Sequence, residues 1–442
     1  MLAILGYLMV ITFLYLIISK RLSPFTSLII IPAIFGILAG SGSKLGSWMM
    51  EGIENVAPTA FLLLFAIMYF GIMLDTGLFE PLTGKILSLT KGDPLKIIVG
   101  TAILSGIIGF DGDGSTTMMI CVTAFLPLYK RLGIRPVILA SIIIMQVGIT
   151  TLVPWGGPSG RVASVLHLDP TDLYKAMLPG MIIGLLYVVG VAYILGKKER
   201  ARFNIEEATH VMMASAVENP IIENPSLRDD QTIATALRRP NLIWVNFLLS
   251  IVIMVGIILE WLPSAVLFII GTSLALLINY PSLRDQRERI AAHAPNALAV
   301  VSMIIAAGIF AGIFKGSGMS GAMAQTLISI IPLELGSHMP IITAIVSVPA
   351  LFFLGPDGFY FGILPLLAET GASYGVSAKE IGVASLFGTP FGIMGPLVAS
   401  IYLLIEITNI NLGDLHKHTA KWALGIVVIY IIVALVIGVI SF

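Results

Sequence analysis

Blocks of apolar residues separated by short polar breaks run the length of this chain, and the block lengths predict its elements. Eight blocks are each about 17–20 residues long: Leu2–Ser19, Pro24–Gly40, Ala57–Leu74, Ala176–Leu195, Asn241–Leu259, Pro263–Tyr280, Ala297–Phe314 and Trp422–Ile440. That is the length an α-helix needs to cross the ~30 Å hydrocarbon layer of a bilayer. Two longer blocks, Val137–His167 and Glu380–Asn409, hold Gly/Pro clusters in their middles and predict discontinuous helices. Two more, Leu95–Leu128 and Met339–Ala368, carry acids and glycines at their centres and predict re-entrant hairpins.

The first hairpin is the clearer. Gly109-Phe110-Asp111-Gly112-Asp113-Gly114-Ser115-Thr116-Thr117 separates two apolar flanks, each too short to cross alone. An acid at membrane depth costs roughly 2.5–3.5 kcal/mol, and three glycines within six residues do not hold a helix. Opened backbone inside a membrane is tolerated only against protein or a water-filled cavity. The tip is therefore a candidate substrate site.

The order of elements then repeats. Phe70-Gly71-Ile72-Met73 matches Ala311-Gly312-Ile313-Phe314, and each is followed by an amphipathic stretch, a hairpin, a broken helix and a final span. Gly112-Asp113-Gly114 corresponds to Pro356-Asp357-Gly358. Pro154-Trp155-Gly156-Gly157-Pro158 corresponds to Gly388-Thr389-Pro390. Residues 1–196 form one repeat (hairpin 95–128, broken helix 137–167) and residues 241–442 the other (hairpin 339–368, broken helix 380–409). Residues 197–240, polar and of mixed charge, read as a linker between them. Five crossings per repeat invert the second relative to the first. The fold class is an all-α polytopic membrane protein of two inverted repeats, a transporter pattern with its site at the midplane.

Composition agrees: 57% of residues are hydrophobic and 11% charged, against about 25% charged in soluble domains. The zero formal net charge gives no reason to expect a nucleic-acid partner. A single cysteine, Cys121, excludes an intramolecular disulfide and a cysteine metal cluster. The segment before Lys20 and Arg21 lacks a basic start and a cleavage pattern, so no cleaved signal peptide is expected. Placing both termini outside puts twenty of the 25 lysines and arginines on the cytoplasmic side, as the positive-inside rule requires. The expected location is the cell membrane.

Four breaks should converge on one site. Half-helix N-termini carry about half a positive charge and bind carboxylates without a fixed cation. Ser115, Thr116, Thr117, Ser159 and Thr389 add hydroxyls, and Gly112, Gly114, Gly156, Gly157, Pro356, Gly358 and Pro390 shape the breaks. Trp155 and Tyr360 stand beside them as wall or contact. Arg161 is the one basic residue within a predicted crossing; it either forks a substrate carboxylate or snorkels to the interface. Asp111, Asp113 and Asp357 would repel a bare polyanion. They suit an anion that arrives with a hard divalent cation such as Mg²⁺ or Ca²⁺, or else they cap helices. Asp113 and Asp357, at repeat-related tips, are expected to face each other, where two carboxylates do not both ionise cheaply and one carries a proton. No permanently bound cofactor is expected. With no phosphate-binding G-x-x-x-x-G-K-[ST] loop, ATP-driven pumping is not expected, nor is an enzymatic function, since no catalytic dyad lies near one interface.

At these residues the chain resembles a known family, the citrate–divalent-metal:proton symporters (CitMHS) of the ion transporter superfamily. The resemblance rests on Tyr69-Phe70-Gly71-Ile72-Met73, Asp111-Gly112-Asp113-Gly114 with Thr116-Thr117, and Leu126-Pro127-Leu128-Tyr129-Lys130-Arg131-Leu132-Gly133. Pro154-Trp155-Gly156-Gly157-Pro158, Gly355-Pro356-Asp357-Gly358-Phe359-Tyr360-Phe361-Gly362 and Gly388-Thr389-Pro390 extend it over nearly the whole chain except the linker. It implies a secondary transporter for citrate complexed with a divalent ion, coupled to protons. It also implies a scaffold and a transport domain, usually in a homodimer, working by an elevator motion. Related dicarboxylate carriers have Ser-Asn-Thr at their hairpin tips; this chain does not, so their sodium sites do not transfer. The alternative is a proton- or sodium-coupled carrier of another di- or tricarboxylate, or of an inorganic anion.

Overall fold

The computed structural model describes residues 1–40, 42–90, 92–202, 237–329 and 333–441, and among them every regular element is helical. The predicted linker 197–240 falls largely outside the described residues. The first repeat contains α1 (Leu2–Ile18), α2 (Pro24–Leu38), α3 (Leu45–Asp75) and amphipathic α4 (Glu80–Thr90). It continues through hairpin arms α5 (Pro94–Ile108) and α6 (Gly114–Arg131), the broken pair α7 (Pro136–Thr150) and α8 (Gly157–Leu166), and α9 (Pro170–Arg202). The second repeat follows the same order. It has α10 (Ile243–Ile258), α11 (Ser264–Asn279), α12 (Leu283–Gly316) and α13 (Met319–Ile328). Then come hairpin arms α14 (Met339–Asp357) and α15 (Leu364–Ser373), the broken pair α16 (Ala378–Leu386) and α17 (Ala399–Thr408), and α18 (Leu412–Val436).

Seven helical stretches among the described residues are long and apolar enough to cross a membrane, and they include both hairpin regions, Pro94–Asp111 and Met339–Ser373. Several predicted crossings are shorter helices, among them α1, α2, α7 and α11. The hairpins re-enter all the same. Asp93, at the start of α5, pairs with Arg200, and Arg135, just beyond α6, pairs with Glu199. Both ends of the first hairpin thus meet the end of α9. In the second, Gly336 before α14 packs on the Tyr374 ring after α15.

One face gathers Asp75, bonded by Arg289 and His293, together with the Arg238–Glu80 pair at the end of the linker. The opposite face gathers both chain ends. Ser441 bonds Glu380 and Ser337, while Tyr7 in α1 donates to the Met323 carbonyl at 3.2 Å.

Helices α3 and α12, at 31 and 34 residues, outlast the apolar windows seen in the sequence. The added turns of α12 lie at its N-terminal end, where Arg284 pairs with Glu288 and Arg289 reaches Asp75 at the end of α3. The two helices cross backbone to backbone. A Cβ on Gly52 would lie 2.0 Å from the Gly308 carbonyl oxygen, and one on Gly312 would lie 2.1 Å from that of Trp48. Small residues give such crossings their close approach in membranes. Asn246 of α10 and Asn279 of α11 exchange two amide hydrogen bonds of 2.8 Å, joining these helices.

Candidate functional site

The first tip turns at Gly112, whose φ of +81° is left-handed. Asp111 lies beneath it, buried: its Oδ1 accepts from the Asp113 amide at 2.9 Å and from Thr117 Oγ1 at 3.4 Å. Asp113 is the N-cap of α6 and accepts from the amides of Ser115 and Thr116 at 3.1 and 3.3 Å, and from the Thr116 hydroxyl. The half-helix N-terminus expected to meet the substrate is therefore already occupied by its own aspartate.

The two helix breaks differ in this respect. Helix α8 begins at Gly157 behind Gly156, and α17 begins at Ala399 behind Val398; neither has a side-chain cap. Both open ends border one cavity of about 310 Å³. Its wall also holds Gly112, Asp113, Gly114 and Ser115 from the first tip, Pro356 and Tyr360 from the second, Arg161 from α8, and Thr389. Helix N-termini favour anions through their unpaired N–H groups, so two of them and a guanidinium converge on this space.

The four breaks are locked by close packing within and across the repeats. A Cβ on Gly148 of α7 would lie 2.7 Å from the Pro390 Cα, and one on Gly109 would lie 2.2 Å from Thr150 Oγ1. Tyr360 is buried and its hydroxyl lies 3.1 Å from Thr389 Oγ1. Arg161 Nε donates to Asp357 Oδ1 at 2.8 Å, an ion pair joining the first repeat to the second. Asp357 and Pro356 also border a second cavity of about 430 Å³, whose far side holds Lys20 and Arg21.

These breaks lie off-centre. Trp155 stacks on Phe70 with ring centroids 5.4 Å apart, and Phe70 is one to two turns before the end of α3 at Asp75. A Cβ on Gly358 or Gly362 would meet Leu14, about one turn before the end of α1. The site sits toward the linker face.

A sequence profile of CitMHS, the citrate transporter family, matches residues 13–388. The chain belongs to the CitMHS family. It is 49% identical over its full length and the full length of a Bacillus subtilis protein named citrate transporter. It is 45% identical to another B. subtilis protein, a Mg(2+)/citrate complex secondary transporter, over 100% of this chain and 99% of that one. The crystal structure of the Alcanivorax borkumensis YdaH transporter, described as having an unusual topology, superposes with a TM-score of 0.56. It does so at 13% identity over 98% of both chains, a likeness of fold. The members named here are transporters, not enzymes.

For this CitMHS chain the expected residues divide into three groups. Gly112, Asp113, Gly114, Ser115, Gly157, Arg161, Pro356, Tyr360 and Thr389 line the cavity. Others build its walls from behind. Trp155 is buried and donates from Nε1 to the Phe110 carbonyl at 3.0 Å, and Ser159 donates to the Leu152 carbonyl at 2.9 Å. A Cβ on Gly156 would overlap the Thr151 carbonyl, and Pro390 packs on Gly148. Thr116 and Thr117 serve the two tip aspartates, and Gly358 packs on α1.

The third group is the acids, and each of them is bonded differently. Among the described residues no group of three His, Cys, Asp or Glu side chains is placed to hold a metal ion. Asp111 is a buried structural ligand of the tip; Asp113 caps α6 and Asp357 pairs with Arg161. Each carboxylate thus has its own partner, and no hydrogen bond links Asp113 to Asp357. Thr151, Leu351, Gly392, Ile393 and Val398–Ser400 also line the cavity without having been expected. Thr151 and Ser400 had a signal, a hydroxyl three residues before Pro154 and four after Pro396. The apolar lining had none, because its residue types match those facing lipid.

Proposed function

We propose that this chain takes up citrate as its complex with a divalent cation of the Mg²⁺ or Ca²⁺ type, by secondary transport driven by proton symport. The observation that carries this reading is the cavity where two uncapped helix N-termini and Arg161 meet Asp113 of the first tip, with Asp357 held on Arg161 behind its wall. The first set suits carboxylates, and the oxygens of Asp113 and Asp357 suit a hard cation. The 45% identical relative, named for a Mg(2+)/citrate complex, points the same way. Asp113 and Asp357 are the proposed proton-coupling residues. In the proposed orientation the linker face is cytoplasmic and both termini are outside. The off-centre site then reads as the inward-facing state of an elevator, with a homodimer as the working unit.

Uptake of labelled citrate into vesicles, with single divalent ions and an imposed pH gradient, tests the reading. Uptake should require the metal, should cease when EDTA is added at saturating citrate, and should collapse with the pH gradient. Uptake unchanged by EDTA would exclude the complex as substrate and favour a carrier of the free anion.

A further inference from the structure

We infer that the Arg161–Asp357 pair is what makes the metal–citrate complex obligatory: Asp357 occupies Arg161 as a stand-in carboxylate until a substrate arrives that replaces both partners at once. This inference rests on the metal–citrate reading and deepens it.

The pair is built to be opened. Both side chains are about a quarter exposed, at 23% and 24%, on the wall between the two cavities. One bond, Nε to Oδ1, joins them, and neither group makes another hydrogen bond among the described residues. Arg161 therefore has guanidinium N–H groups to spare, and Asp357 has its Oδ2. A guanidinium commonly binds a carboxylate through two parallel bonds, so a substrate carboxylate can compete for it.

Charge then decides what the pair admits. Free citrate taking Arg161 leaves the Asp357 carboxylate unpaired beside a trianion. A bare dication taking Asp357 leaves the Arg161 guanidinium unpaired beside a second cation. Stranding either charge in a partly buried site is the costly outcome of breaking such a pair. The complex alone gives Arg161 a carboxylate and Asp357 a metal in the same event. The protein's ligand supply fits this. Mg²⁺ and Ca²⁺ take six or more oxygens, and no cluster of three acidic, His or Cys side chains is placed to bind a metal among the described residues. An ion carried by citrate arrives with part of its oxygen shell already filled.

The test uses the purified full-length chain in detergent, with binding followed by calorimetry and thermal shift. The probes are citrate in EDTA, MgCl₂ alone, and the two together. Wild type should respond to the mixture at least about tenfold more tightly than to either component, a difference of about 1.4 kcal/mol. Asp357→Asn no longer strands a charge, so it should bind citrate in EDTA about as well as with Mg²⁺. Arg161→Gln should respond to MgCl₂ alone, which wild type does not, and it decides the matter if the first variant fails to fold. An Asp357→Asn protein as metal-dependent as wild type overturns the inference and leaves metal–citrate transport standing. A wild type that binds citrate equally well in EDTA overturns both.

Discussion

Gly148→Ala tests whether the two helix breaks are held together as one site. Gly148 lies in α7, one turn before the first break, and faces the second. A Cβ there would sit 2.7 Å from the Pro390 Cα and 3.4 Å from Ile393 Cγ2. The nearer atom is backbone and has no rotamer to turn away. Reaching ordinary contact at about 3.4 Å requires the break to retreat by about 0.7 Å. Overpacking of this kind costs about 1–3 kcal/mol, and replacing a helical glycine with alanine returns up to ~1 kcal/mol. The net effect is a loss of about 0–3 kcal/mol. The effect on transport should be larger, because misplacing positioned groups by ~1 Å lowers rates by up to about 10²-fold. Gly190→Ala is the control: it lies in α9 with no atom within 4 Å of its Cβ, so only the helix-propensity gain applies. The assay pairs thermal unfolding with labelled-citrate uptake at matched expression. Gly148→Ala should unfold at or below wild-type temperature with uptake lowered tenfold or more, while Gly190→Ala keeps both. Equal uptake by the two variants would refute the idea that this contact sets the site.

Other substitutions probe separate links. Asp113→Asn keeps an oxygen for the Ser115 amide and gives up the one that accepts from Thr116, so it should insert normally with a weakened cap and lose uptake driven by a pH gradient; normal pH-driven uptake would leave Asp113 as a cap only. Asn246→Ala removes both amide bonds to Asn279, at about 0.6 kcal/mol for a typical interhelical bond in a membrane, and should lower thermal stability slightly without changing the citrate KM. Cysteines placed in the linker of a variant lacking Cys121 should resist impermeant thiol reagents in intact cells and react in opened ones; labelling from outside would reverse the orientation.

The sequence by itself determined the class, the repeat and the places where backbone had to open. Apolar blocks of bilayer length leave no other solvent for this chain, and Asp-Gly-Asp-Gly inside such a block does not continue a helix. Those inferences rest on local chemistry, which each residue carries with it. Tertiary structure alone decided which donors and charges remain open. Asp113 and Asp357 occupy matching positions along the chain, yet one folds back onto the amides of its own helix and the other reaches across to Arg161. The uncapped ends of α8 and α17 are open because Gly156 and Val398 precede them, but that they border one cavity depends on glycine contacts between repeats. A residue's type fixes what it can bond. What it does bond depends on which neighbours the fold brings within 3 Å, and for Arg161 that neighbour lies 196 residues away in the chain.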